Sequence, residues 1–330
     1  MIPIRRFVFV LSTAALLQTV ITAAEPVIRK EAYHGWNEAL VIGNGKVEAI
    51  IVPEIGRVMQ FRFAGEEEGP FWENRALDGK KPDSQSSEWG NFGGDKSWPA
   101  PQAEWEKMTG RGWPPPAAFD SMPVDAKVEK DAVVLTTKVD RHYGIEEVRR
   151  ITLGRDTAEM IIDTTYHKKE GAPVRVSVWI ITQLNHPELM LMSLPDKSIF
   201  ATGYNKQSAK LPLGLEVRGG AVLCRRSTTD STKIGSDANS IVWGGKSHVV
   251  EVFSEREKGG EFPDNGSSAE IYTNPDPNAY VELELLGPLQ SLRMGESISR
   301  RQLYRLHRRN SEPIETQLRE AARKRGASQQ

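Results

Sequence analysis

NEALVIGNGKVEAIIVPEIGRVMQFRF, residues 37–63, holds three apolar or alternating runs separated by turn residues. ALVI and KVEAIIV flank Gly43-Asn44-Gly45, and Asn-Gly between such runs is the strongest short-range signal for a β-hairpin. Pro53-Glu54-Ile55-Gly56 then turns the chain into RVMQFRF. The same pattern continues outward through AKVEK, AVVLTTKV, IEEVRRITL, AEMIIDTTYHK, VRVSVWIITQL, LEVRG, AVLCRR, NSIVWG, HVVEVFSE, AEIYTN, AYVELELLG and SISRRQLYRL. About fifteen short strands, with no long periodic helix and no linker-like break between them, predict one large antiparallel all-β sandwich or barrel over residues 25–310. The tail, 311–330, reads as a short C-terminal surface helix. Ser311 is placed as an N-cap, Pro313 sits in the first turn, and Ile314, Leu318 and Ala321 or Ala322 form one apolar stripe.

The N-terminus addresses compartment. Arg5-Arg6 precede the apolar run FVFVLSTAALLQTVITA, which ends in Thr22-Ala23-Ala24 before Glu25-Pro26. A short basic region, an apolar core and small residues at the exit predict a signal peptide over residues 1–24 and an exported protein, periplasmic or secreted, with no membrane partner after cleavage. Cleavage there leaves 41 basic against 44 acidic side chains. That balance gives no basic footprint for nucleic acid or an anionic membrane surface. Cys224 is the only cysteine, so an intramolecular disulfide and a Cys-based metal site are both excluded, and roughly 300 residues are expected to hold together by burial alone. His34, His142, His167, His248 and His307 lack metal-ligand spacing, and Asp264-Asn265 and Asp276 read as ordinary turns, so no metal and no cofactor are expected.

Residues 66–123 interrupt the strand pattern and carry Trp72, Trp89, Trp98, Trp105 and Trp113. A loop-like segment of that length and aromatic content inside a compact protein is usually functional. Its densest part, WGNFGGDKSWPAPQ at 89–102, reads as neither helix nor strand. Tryptophan beside Asp, Lys, Gln and Arg is the vocabulary of sugar recognition, in which aromatic faces cover C–H surfaces and planar polar groups take the hydroxyls. A tryptophan plug closing one end of a sandwich has the same composition. Trp89, Asp95, Lys96 and Trp98 are the candidate ligand residues of this segment.

Two strands carry the remaining candidates. In AYVELELLG (279–287), Val281, Leu283 and Leu285 alternate with Tyr280, Glu282 and Glu284, so one face is core and the other presents a phenol and two carboxylates, as a ligand surface or as a solvated outer face. In VRVSVWIITQLNH (174–186), Trp179 and Gln183 share the face opposite Val176 and Val178, and His186 stands at the strand exit beside Pro187.

Taken together, NEALVIGNGKVEAIIVPEIGRVMQFRFAG with its Gly56-Arg57 turn, VRVSVWIITQLNH, and AYVELELLGPLQSLRMGESISRRQLYRL resemble the galactose mutarotase-like (aldose 1-epimerase) superfamily, in the form of an exported bacterial subgroup. The resemblance implies a β-supersandwich whose concave face binds a carbohydrate, and cofactor-free ring opening in which a carboxylate deprotonates the anomeric hydroxyl and an imidazolium protonates the ring oxygen. By position it implies Glu284 as base, with Glu282 one register step away, His186 as acid, and Arg57 among the sugar contacts. N91-FGGDK keeps the family's Gly-Gly but replaces its loop histidine, so Asp95, Lys96 and Trp98 are expected to line the site in its place. A non-catalytic carbohydrate-binding protein, and a polysaccharide lyase or hydrolase using Glu282 with Glu284, remain alternatives on the same scaffold. A monomer or weak dimer is expected.

Overall fold

A computed structural model describes residues 25–323; the leader read at 1–24 and the last residues of the tail lie outside the described residues. Two antiparallel sheets face each other. The first, of 11 strands, runs Val27–Tyr33, Trp36–Gly43, Val47–Val52, Arg57–Phe63, Asp95–Ala100, Val174–Asn185, Tyr280–Leu286, Ala269–Thr273, Thr232–Ser236 and Asn205–Lys206, with Gln290–Leu292 joined to the long Val174–Asn185 strand. The second has 10 strands, with His248–Phe253, Ser297–Arg308 and Glu159–Lys168 near its middle. The molecule is the all-β sandwich expected.

Period-two alternation builds the core. Val281, Leu283 and Leu285 of the first sheet meet Ile162, Val250, Val252 and Leu306 of the second in one buried cluster. Each such side chain contributes roughly 1.5–3 kcal/mol relative to leaving it in water. The predicted hairpin pairs Trp36–Gly43 with Val47–Val52. Asn44 Oδ1 accepts from the backbone N–H groups of Lys46 and Val47, each at 2.9 Å, which fixes the turn. On the far side, helix Ile314–Arg323 lays Leu318 and Ala321 on Leu189, Leu191, Val242 and Val249, the outer face of the second sheet.

Segment 89–102 departs from its sequence reading. Its centre, Asp95–Ala100, is a fully buried strand. It pairs with Val174–Asn185 from Ser177↔Ala100 to Thr182↔Asp95. Pro99 hid it, because proline is normally barred from a central ladder; here the strand on the other side touches only at Val58↔Asp95, so Pro99 sits on an edge-like stretch. Gly93 and Gly94, at φ 94° and 68°, bring the chain in close. A Cβ on Gly93 would lie 2.2 Å from the Trp72 carbonyl oxygen, and one on Gly94 2.6 Å from that of Val58. Most of the rest of 66–123 is irregular, apart from a few short helices that include Trp105–Thr109 and Ala117–Asp120.

Candidate functional site

Cross-strand register gathers the site on the face of the first sheet turned away from the main core. Residues directly opposite one another in a sheet share a face. Lys96, Ile181, Glu284 and Glu270 therefore form one row, and Gln183, Glu282, Tyr272 and Lys233 the next. Above them opens a cavity of about 800 Å3 with Trp89, Trp98, Trp113, Trp179 and Tyr280 among its walls and Lys233, Glu282 and Glu284 at its base.

The tryptophan wall is fastened from behind. Asp120 accepts from Trp89 Nε1 and Trp98 Nε1, each at 2.9 Å, and pairs with the Arg57 guanidinium at 2.7 Å. The indoles meet edge to face, Trp89 on Trp98 at 5.6 Å and Trp98 on Trp179 at 5.5 Å between ring centroids. Aromatic pairs prefer such contacts, worth about 0.5–1.5 kcal/mol beyond area burial.

The base of the cavity is ionic. Lys233 Nζ lies 2.7 Å from Glu270 Oε2, 2.9 Å from Glu284 Oε2 and 4.8 Å from the Trp179 ring centroid. Burial pulls the Lys233 pKa down, but the two carboxylates outweigh it and the net shift is upward. Burial pushes Glu270 up to about 7 against the pull of Lys233. Glu284 is also raised, by burial first, with Lys233 opposing and Glu282 adding to the rise; Trp179 Nε1 donates to its Oε2 at 2.7 Å.

Glu282 is the more open of the two site carboxylates, 8% exposed against 1% for Glu284. Gln183 Nε2 donates to its Oε1 at 2.9 Å, and Lys96 Nζ stands 3.6 Å from the same oxygen. Lys96 is buried, its Nζ 5.0 Å from the Trp98 ring centroid and 5.6 Å from that of Trp89. Neither Lys96 Nζ nor Gln183 Oε1 has a hydrogen-bond partner among the described residues. Burial lowers the Lys96 ammonium to about 8, with Glu282 opposing.

Six of the sequence candidates, Trp89, Trp98, Trp179, Tyr280, Glu282 and Glu284, line the cavity. Lys96 and Gln183 lie beneath them against Glu282, and Arg57 holds the wall through Asp120. Two placements correct the sequence reading. Asp95 faces into the sandwich, because neighbouring residues of a strand point to opposite faces; it pairs with Arg149 and accepts from Thr182 Oγ1 at 2.7 Å and the Tyr304 hydroxyl at 2.5 Å. His186 lies beyond the strand end at Asn185, exposed and outside the cavity lining. Its Nδ1 accepts from Arg226 Nε at 2.8 Å, and burial followed by the Arg226 charge lowers its pKa, so the imidazolium is disfavoured.

Glu270, Tyr272 and Lys233 were missed. Ala269, Ile271 and Thr273 alternate with Glu270 and Tyr272 in the same manner as the Tyr280–Leu286 strand, so that signal was present. Lys233 gave less, since TKIGS is short and contains glycine. Among the described residues no group of His, Cys, Asp and Glu is arranged to hold a metal ion.

No protein-family model matches the sequence, and no curated protein matches it. Solved structures do match in fold. A galactose mutarotase-like protein from Lactobacillus casei superposes with a TM-score of 0.52 at 10% identity, over 82% of this chain and 100% of that one. Another from Clostridium acetobutylicum gives 0.52 at 10% identity, over 86% and 99%. A TPR-domain containing protein from Parabacteroides distasonis gives 0.55 at 14% identity, over 84% of this chain and 48% of that one, so this chain spans about half its length. The chain has the galactose mutarotase-like fold.

Proposed function

We propose that the protein is exported by its leader, binds a carbohydrate in this cavity and interconverts its anomers by acid–base ring opening. What supports this most is the pairing of a tryptophan-walled cavity with a base where Glu282 lines the cavity and the Lys96 ammonium beside it has no hydrogen-bond partner among the described residues. Indole faces suit the C–H surface of a sugar ring. Buried polar atoms are nearly always satisfied, and a ligand hydroxyl that enters beneath the lining, beside Glu282, to accept from Lys96 Nζ and donate to Gln183 Oε1 would satisfy both.

In this reading the Glu282 carboxylate takes the proton of the anomeric hydroxyl. Lys96, charged below about pH 8, delivers a proton to the ring oxygen. The bond from the anomeric carbon to the ring oxygen breaks, giving the open-chain aldehyde; rotation and the reverse transfers close the other anomer. Glu284, held by Lys233 and Trp179, anchors a neighbouring hydroxyl. Lys96, beneath the lining and 3.6 Å from Glu282, takes the acid role expected of His186, which lies past the strand end against Arg226.

The test is anomer exchange of free aldoses followed by NMR. Glu282→Gln is expected to slow exchange by about 10²–10⁴-fold, the usual worth of one positioned proton transfer, while sugar binding stays measurable by calorimetry. Exchange by Glu282→Gln at the wild-type rate would sink the acid–base assignment. The position of His186 favours one second reading, a sugar-binding protein without turnover, for which the wild type binds aldoses but leaves exchange at the buffer rate.

A further inference from the structure

A second cavity, of about 560 Å3, adjoins the first and shares Gln102, Trp179 and Lys233 with it. Each volume alone falls within the range of a complete small-molecule pocket, about 300–1,000 Å3. Two such spaces meeting over one indole and one ammonium suit a ligand built of repeated units. Apart from the Trp179 indole, the second space is walled mostly by hydrogen-bonding groups, Glu106, Lys206, Gln207 and Asp264 among them. Gln207 Nε2 donates to Glu270 Oε1 at 2.6 Å, which ties this wall to the ionic base of the first cavity.

The backbone at the rim is unusual. Asp264 and Asn265, both non-glycine, lie in the left-handed region at φ 49° and 62°. Consecutive residues of this kind are uncommon, and strain of this sort concentrates at functional sites. Asp264 lines the cavity wall, and burial, then the charge of Glu270, pushes its carboxyl up to about 6.

We infer that the second cavity is an adjacent saccharide subsite and that the ligand is a linear oligosaccharide crossing the Trp179–Lys233 saddle, its terminal unit in the tryptophan-walled cavity and its next unit against Asp264, Gln207 and Lys206. This rests on the carbohydrate reading above and extends it from a single sugar to a chain.

Calorimetry with free aldohexoses and aldopentoses, and with their linear homo-oligomers of about two to four units, tests it in wild type and Asp264→Gly. Glycine removes the carboxylate and relieves the left-handed backbone, so the variant is expected to fold. Wild type is expected to bind an oligomer about tenfold or more tightly than the matching free sugar, and Asp264→Gly to lose that margin while keeping its affinity for the free sugar. Oligomers no tighter than free sugars in the wild type, or a margin that survives Asp264→Gly, would overturn the subsite. Binding of neither free sugars nor oligomers would count against the carbohydrate reading itself.

Discussion

Asp95 and Lys96 are neighbours on one strand, both buried and both ionisable, and the protein treats them in opposite ways. Asp95 turns into the sandwich, where Arg149, Thr182 and Tyr304 engage its carboxylate. Lys96 turns to the cavity, where Glu282 stands 3.6 Å away and its Nζ has no hydrogen bond among the described residues. A charge whose partners come from the fold is a structural part, and removing a partner strands the other charge in low dielectric. A buried charge with one carboxylate at 3.6 Å and no hydrogen bond is incompletely satisfied, a standing cost to the fold of the kind retained where a ligand or a reaction needs it. One strand thus separates scaffold chemistry from site chemistry.

The largest effect expected from this contrast is on the closed side. Arg149→Met leaves the Asp95 carboxylate without its cation and is expected to lower stability by about 3–5 kcal/mol, read from chemical denaturation. A loss below about 1 kcal/mol would show that the pair is not the structural element described. On the open side the sign reverses. Lys96→Met removes a buried ammonium whose pKa has fallen from 10.5 to about 8, while Glu282, 8% exposed, keeps its hydrogen bond from Gln183; the change is expected to raise stability at pH 7 by roughly 1–3 kcal/mol while slowing anomer exchange. Destabilisation by Lys96→Met would erase the distinction between the two neighbours.

A smaller effect sharpens the same comparison through pH. The unfolded chain holds the Lys96 proton to about pH 10.5 and the folded chain releases it near 8. The unfolded state therefore binds more protons across that window, and wild-type stability rises relative to Lys96→Met as pH climbs from 8 to 10.5. Anomer exchange in the wild type falls over the same rise, as the acid is lost.

Much of this was legible in the sequence, for identifiable reasons. Alternation in AYVELELL set Val281, Leu283 and Leu285 in the core and Tyr280, Glu282 and Glu284 in the cavity. Asn44-Gly45 gave the hairpin of Trp36–Gly43 with Val47–Val52. The strand Asp95–Ala100 was not legible, because its periodicity is masked by Pro99 and the preceding glycines and its pairing is entirely non-local. That one omission placed Asp95 and Lys96 on the same surface, when a strand must divide them. His186 failed for a related reason: a strand-end residue is aimed by whatever packs beside it, here Arg226, which lies 40 positions away. Lys233 joins the site only through register with Tyr272, a relation that no local window contains.

The most direct measurement is the titration of Lys96 itself, by NMR of lysines labelled at Cε and assigned with Lys96→Met, with and without a saturating aldose. The account predicts a Lys96 resonance that titrates near pH 8 and moves when sugar binds, while lysines remote from the cavity do neither. A Lys96 that titrates near its ordinary 10.5 and is indifferent to sugar would contradict it.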